Sequence, residues 1–245
     1  SYPATPERFA ARGLDETQSR ALIARSVELA RQARDAYRAE NPAAKGLLIA
    51  GSIGPYGAYL ADGSEYRGDY QRSAQVFQDF HRPRVEALLE AGVDLLACET
   101  LPSFDEIRAL AQLLEAYPVA RAWFSFTLRD AQHLSDGTPL SEVMAFIECY
   151  PQIVAAGINC IALADTTAAL RYLQTLTPLP LVVYPNSGEQ YDAVSKHWHS
   201  GGESCASLAD YLPDWLAAGA RLIGGCCRTT PADIVALKQL QNSGQ

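Results

Sequence analysis

Short apolar runs of β type alternate along the chain with segments whose apolar positions recur at helical spacing, each pair taking roughly 30 residues. The runs are Gly46–Ala50, Asp94–Cys98, Arg121–Thr127, Ile153–Cys160, Leu181–Tyr184 and Arg221–Gly224. Runs that are apolar on both faces suit parallel strands covered by helices. The helical segments carry their own start signals. Asp15 with Gln18, ahead of Ile23, Val27, Ala30 and Tyr37, predicts a capped amphipathic helix. Ser103 with Glu106 reads as a second capping box. Thr138-Pro139 and Thr230-Pro231 each place a cap residue before a first-turn proline. Gly92 and Gly219 fall where helices should end.

Repeated βα units imply a doubly wound sheet or a barrel. No G-x-G-x-x-G follows a strand, so a (β/α)8 TIM-type barrel is the expected fold. Only six strands can be counted where eight are needed. Before Gly46 there is one long helical region and an opening Ser1–Pro6 that reads as loop. The expectation is therefore that the first strand, first helix and most of the second strand are absent from this chain. No repeat or linker interrupts it, so residues 1–245 are expected to form one domain. Ser52–Tyr70 and Pro185–Ser204 are long strand-exit segments, read as loops on the functional face of a barrel.

Composition narrows the function. Hydrophobic residues make up 48% and charged residues 20%, the balance of a globular protein. No apolar run approaches the roughly 18–20 residues of a membrane span, and no signal-peptide pattern opens the chain. The expected location is the cytoplasm, without a membrane partner. A net charge of −8 argues against nucleic acid and leaves small molecules as partners.

There are six cysteines. In a chain of this length without secretion signals they read as metal-binding or redox-active rather than as disulfide staples. Cys160 closes one strand, and Cys226-Cys227 follows another about two βα units later. With one strand between them, the two strands are alternate and feed one interior layer, so three thiols should converge on one face. Three thiolates suit zinc, and three protein ligands leave the open position of a catalytic site. Such a site can hold a substrate thiol as thiolate, a nucleophile toward an activated methyl group. A redox protein with a Cys226–Cys227 disulfide is the rival reading. Cys98 should pack toward helices, Cys149 should be core, and Cys205 should open a helix. His197-x-His199 is a possible ligand pair in a loop. Tyr56, Tyr59 and Tyr66 could face a sulfonium.

Gly157-Ile158-Asn159-Cys160 and Gly224-Gly225-Cys226-Cys227-Arg228 resemble the two zinc motifs of the homocysteine S-methyltransferase family. The segment from Gly54 to Tyr66 resembles the branch that uses S-methylmethionine, and Cys98-Glu99-Thr100 and Tyr184-Pro185-Asn186-Ser187-Gly188 also match. The resemblance implies a (β/α)8 barrel, Zn2+ on Cys160, Cys226 and Cys227, L-homocysteine as acceptor and a sulfonium as methyl donor. It also implies that Glu99 receives the substrate's amino group. Asn159 and Tyr2 are expected near the substrate. S-adenosylmethionine, betaine or a folate are the other donors that such a barrel could use. The Asp-Gly element with which family members begin is absent here.

Overall fold

The computed structural model describes residues 2–187, 189–192, 197–200 and 207–243, with backbone alone for 189–192, 197–200 and 242–243. Its strands are β1 (Ala50–Ile53), β2 (Leu95–Leu101), β3 (Ala122–Phe126), β4 (Leu128–Asp130), β5 (His133–Leu134), β6 (Ile153–Asn159), β7 (Leu181–Tyr184), β8 (Glu189–Asp192), β9 (His197–Ser200) and β10 (Ala220–Ile223). Six of them form one sheet in the order β1-β2-β3-β6-β7-β10, every neighbouring pair parallel. The fold is α/β of the (β/α)-barrel type, and among the described residues β1 and β10 are the sheet's edges.

The helices are α1 (Pro6–Ala10), α2 (Glu16–Glu40), α3 (Tyr56–Leu60), α4 (Ala74–Glu90), α5 (Phe104–Leu114), α6 (Leu140–Ile147), α7 (Thr166–Leu176), α8 (Leu208–Ala217) and α9 (Pro231–Ser243). The core lies between the sheet and these helices, with Leu96, Phe124, Ile158 and Val183 from the strands against Leu88, Leu110, Ile147 and Leu170. No described helix is long and apolar enough to cross a membrane.

Five of the six expected strands lie where the apolar runs put them, within a few residues at either end. The first differs. Gly46–Ala50 was expected, but pairing begins at Ala50 and runs to Ile53. Leu48 is 67% exposed. Asp94 receives the Ile49 amide through its carboxylate at 2.6 Å, which fixes where the ladder starts. The strand proper contains Gly51 and Ser52 because one of its faces lines a polar site, so it lacks the continuous apolar signature. β2 likewise runs three residues past Cys98.

The caps divide. Asp15 and Gln18 form the expected capping box, α9 begins at Pro231, and Gly92 and Gly219 have φ of +78° and +87° after their helices. Ser103 caps α5 without a side-chain bond, because Glu106 turns inward to other partners. Pro139 is itself the cap of α6, which starts at Leu140. The segment 52–70 contains α3 and a 3-10 turn, Ser64–Tyr66, rather than loop throughout. The long segment after β7 carries the antiparallel pair β8–β9, and β4–β5 form a hairpin with no counterpart among the predicted elements.

Candidate metal and substrate site

Cys160, Cys226 and Cys227 come together as expected from alternate strands, with β7 between β6 and β10. Their sulfur atoms all lie within 4.8 Å of one another, and Cys160 and Cys227 are 3.7 Å apart. Among the described residues this is the one group of three His, Cys, Asp or Glu side chains converging in this way. The exit of β7 stitches the two cysteine segments together. Cys160 donates its amide to the Tyr184 carbonyl, Cys226 to Pro185, and Ser187 to the Cys227 carbonyl. The Cys226 carbonyl is closed by Thr229, through its amide at 3.2 Å and its hydroxyl at 2.8 Å. Gly225 is required there, since a Cβ would come within 2.4 Å of the Thr229 hydroxyl.

The backbone is strained around this cluster. Cys160 has φ +53°, Arg228 +65° and Thr100 +61°, a conformation that non-glycine residues rarely adopt. Thr100 sits where the register of β2 against β3 shifts between Cys98 and Leu101. Asn159 holds it there from both ends of its amide: the Thr100 amide donates to Asn159 Oδ1, and Asn159 Nδ2 donates to Thr100 Oγ1, each at 2.8 Å. Tyr2 bonds to the same Thr100 side chain.

Three sulfurs this close share protons. Hydrogen bonds from Cys160 and Cys226 hold the Cys227 thiol well below its usual range, with a further bond from Tyr66. Cys160 is pushed up because it donates to the other two and is buried. The donor set fits a soft or borderline cation. Three thiols present sulfur to it, with Cys160 and Cys227 at 3.7 Å, close to the edge of a tetrahedron built on Zn–S bonds of about 2.3 Å.

Glu99 lies on the neighbouring part of β2, and its carboxylate is already aimed. Ser52 Oγ donates to Oε1, and Tyr184 donates to Oε2 at 3.0 Å. Tyr184 in turn accepts from Trp123 Nε1 at 2.9 Å and bonds to Ser125 Oγ. Burial pushes the Glu99 carboxyl up, and the two hydroxyl donors oppose that shift. Trp123, Val182, Tyr184, Leu222 and Gly224 line a cavity of about 200 Å³ beside it. Ser52 and Tyr184 were missed as partners of Glu99. The signal available for Tyr184 was its place at the end of an apolar strand.

Other expectations change. Cys98 is fully buried, but Cys149 is exposed rather than core, because α6 ends at Ile147 and the chain turns outward. Tyr56 and Tyr59 do not reach the sulfurs. They pack edge-on and tilted against Phe80, and Arg72 lies 5.2 Å over the Tyr56 ring. Only Tyr66 of the three contacts the thiols. Cys205 and the side chains of His197 and His199 lie outside the described residues.

The family model for homocysteine S-methyltransferase matches residues 1–240. The homocysteine S-methyltransferase of Escherichia coli (strain K12) is 76% identical over 97% of this chain and 77% of its own length. The homocysteine S-methyltransferase YbgG of Bacillus subtilis (strain 168) is 48% identical over 96% of this chain and 75% of its own. The crystal structure of the homocysteine methyltransferase MmuM from Escherichia coli in its metallated form superimposes with a TM-score of 0.89 at 70% identity, covering 98% of this chain and 77% of that one.

Proposed function

This chain belongs to the homocysteine S-methyltransferase family, and on that premise we propose that it moves a methyl group from S-methylmethionine to the thiolate of L-homocysteine, with zinc held by Cys160, Cys226 and Cys227. The observation that carries the reading is the convergence of three cysteine sulfurs within 4.8 Å, with no fourth His, Cys, Asp or Glu joining the group among the described residues. Zinc bound there supplies a Lewis acid that keeps a substrate thiol deprotonated near neutral pH.

The chain's own residues do the rest. Glu99 accepts the ammonium group of homocysteine, and Ser52 and Tyr184 hold its two oxygens in place for that contact. Asn159 pins Thr100, which fixes the turn of β2 immediately after Glu99. Tyr2 meets the same Thr100 and closes that side. In the transfer the homocysteine sulfur forms a bond to the methyl carbon as the sulfonium S–CH3 bond breaks. The electron pair stays on the donor sulfur, which leaves as a neutral thioether, so both products are methionine. The leaving group needs no proton, and in-line placement of the two sulfurs is the main demand on the protein. The cytoplasm, where free thiols persist, is the compartment that suits such a site.

The test is methionine formation from homocysteine with S-methylmethionine, S-adenosylmethionine and betaine in turn, together with metal analysis of the purified protein. S-Methylmethionine should be the fastest donor and zinc the metal found at one per chain. Turnover with betaine alone would overturn the donor assignment.

A further inference from the structure

Glu65 is one charged side chain on this face that the reaction just described leaves without a task. It sits in the middle of the Ser64–Tyr66 turn. The turn is fastened to the sheet through Thr127, whose hydroxyl donates to the Glu65 carbonyl at 3.3 Å just beyond the end of β3. One carboxylate oxygen, Oε2, is shut off from water and has no hydrogen-bond partner among the described residues. The nearest cations are committed elsewhere. Arg67 binds Asp69 at 2.7 Å and the Asp62 carbonyl at 3.0 Å. Arg8 binds the carbonyls of Ala58 and Tyr59.

The next residue ties this carboxylate to the reaction centre. Tyr66 bonds to Cys227, and its charged or ionisable neighbours are Cys160, Cys227, Tyr2 and Glu65. Tyr2 likewise has Cys160, Glu65 and Glu99 around it. Both aromatic side chains therefore have the thiols and a carboxylate with one unpartnered oxygen among their neighbours. Glu99, oriented by Ser52 and Tyr184, is assigned in that reading to the ammonium group of the acceptor and leaves the donor's charge to another group. A buried acceptor left open, flanked by aromatic rings that themselves attract cations, is a site for a positive group that has shed its water.

We propose that Glu65 is the counter-ion of the donor's sulfonium, with Tyr66 and Tyr2 as the walls of that subsite. The proposal rests on the methyl-transfer reading above. It explains a discrimination the reaction requires. The donor arrives as a cation and leaves as a neutral thioether of nearly the same shape, so a fixed negative charge holds the substrate and releases the product. Because that charge favours the bound donor more than the transition state, in which the positive charge is being lost, it acts on donor affinity rather than on the rate of transfer.

The experiment compares wild type and Glu65→Gln, both zinc-loaded, by calorimetric titration with S-methylmethionine, with methionine and with trimethylsulfonium. Wild type should prefer S-methylmethionine over methionine. The Gln variant should lose at least about tenfold of that preference, with a matching rise in KM for the donor and an unchanged or higher kcat. Zinc content and homocysteine affinity should stay as in wild type. Where Glu65→Gln fails to fold, Glu65→Ser removes the charge and leaves room for water, and the same ratios are read. An unchanged preference overturns the proposal. So does a variant that loses S-methylmethionine but keeps trimethylsulfonium, since Glu65 would then bind the donor's ammonium group. A wild type that forms no methionine from S-methylmethionine would instead bring down the underlying reading, an outcome distinct from either.

Discussion

Two polar clusters lie at the C-terminal end of the sheet and are completed in opposite ways. In one, the Glu106 carboxyl on α5 accepts from the Tyr56 amide at 2.6 Å, from the Tyr70 hydroxyl and from His81 Nε2 at 2.7 Å. Arg84 donates to His81 Nδ1 at 2.7 Å, to the Gly54 carbonyl at 3.1 Å and to the Tyr2 carbonyl at 3.4 Å. Since Arg84 only donates, His81 must accept at Nδ1 and carry its proton at Nε2, which is the tautomer Glu106 needs. The other cluster is the sulfur and carboxylate site, where three thiols crowd together and Glu65 Oε2 has no partner among the described residues.

The difference separates structure from function within one sheet end. A buried polar network whose members satisfy one another, here in all but one donor (Arg84 Nε has no partner among the described residues), rigidifies what it touches. Here it touches Gly54, Tyr56 and Tyr2, the backbone that frames the second cluster. A site that must receive a charged substrate has to leave donors or acceptors open, and the strain at Thr100, Cys160 and Arg228 is concentrated there. The closed cluster thus supports the open one.

The largest break falls on the open cluster. Cys226→Ser should remove most bound metal and nearly all methionine formation, because a hydroxyl is a far weaker ligand than a thiolate for such a cation. Metal analysis and a turnover assay read both, and the unfolding midpoint of the metal-free protein should move little. Breaking the closed cluster should do the reverse. Glu106→Ala strands the Tyr56 amide, the Tyr70 hydroxyl and His81 in the interior, at a cost of about 3–5 kcal/mol in urea unfolding. A loss under about 1 kcal/mol would mean that water enters and replaces Glu106.

Glu99→Gln sharpens the comparison with a smaller effect. The metal should stay, but the apparent affinity for homocysteine should fall about tenfold or more, since a charge-assisted bond of about 1.5–3 kcal/mol is lost. Stability should hold or rise, because burial already holds the Glu99 carboxyl above its usual range and the neutral amide escapes that penalty. If Glu99→Gln loses metal as readily as Cys226→Ser, Glu99 belongs to the metal's own ligand set.

Much of this was legible in the chain. Apolar runs located five of the six sheet strands, and two cysteine segments on alternate strands predicted a cluster that the fold brings together. What escaped the sequence has a common cause, because it depends on partners distant in the chain. Ser103 and Glu106 have capping-box spacing, yet three inward partners outbid the helix end for the carboxyl. Leu47-Leu48-Ile49 looks like a strand, yet the Asp94 carboxylate sets the start of pairing later. Asn159 reads as a neighbour of Cys160, but both ends of its amide go to Thr100, 59 residues away. Tyr56 and Tyr59 share the site's segment with Tyr66 but pack with Phe80 instead.

The smallest expected effect tests whether the closed cluster stays closed as pH falls. Burial pushes the His81 imidazole down from its ordinary value, with Glu106 opposing the shift and Arg84 adding to it. Besides Glu106 of α5 and Arg84 of its own helix, Glu7 of α1 is a further charged group that bears on His81. A histidine whose folded pKa is depressed binds its proton more readily in the unfolded chain. Its contribution is therefore complete above the unfolded value of about 6.5 and is lost as pH falls from there toward the folded value. The slope can reach about 1.4 kcal/mol per pH unit for one proton. Urea unfolding at pH 7.5 and 5.5 should show that loss, and Glu106→Gln, which removes the opposing charge, should steepen it. Equal stability at the two pH values would mean that His81 is protonated in the folded protein, and the assigned tautomer would be wrong.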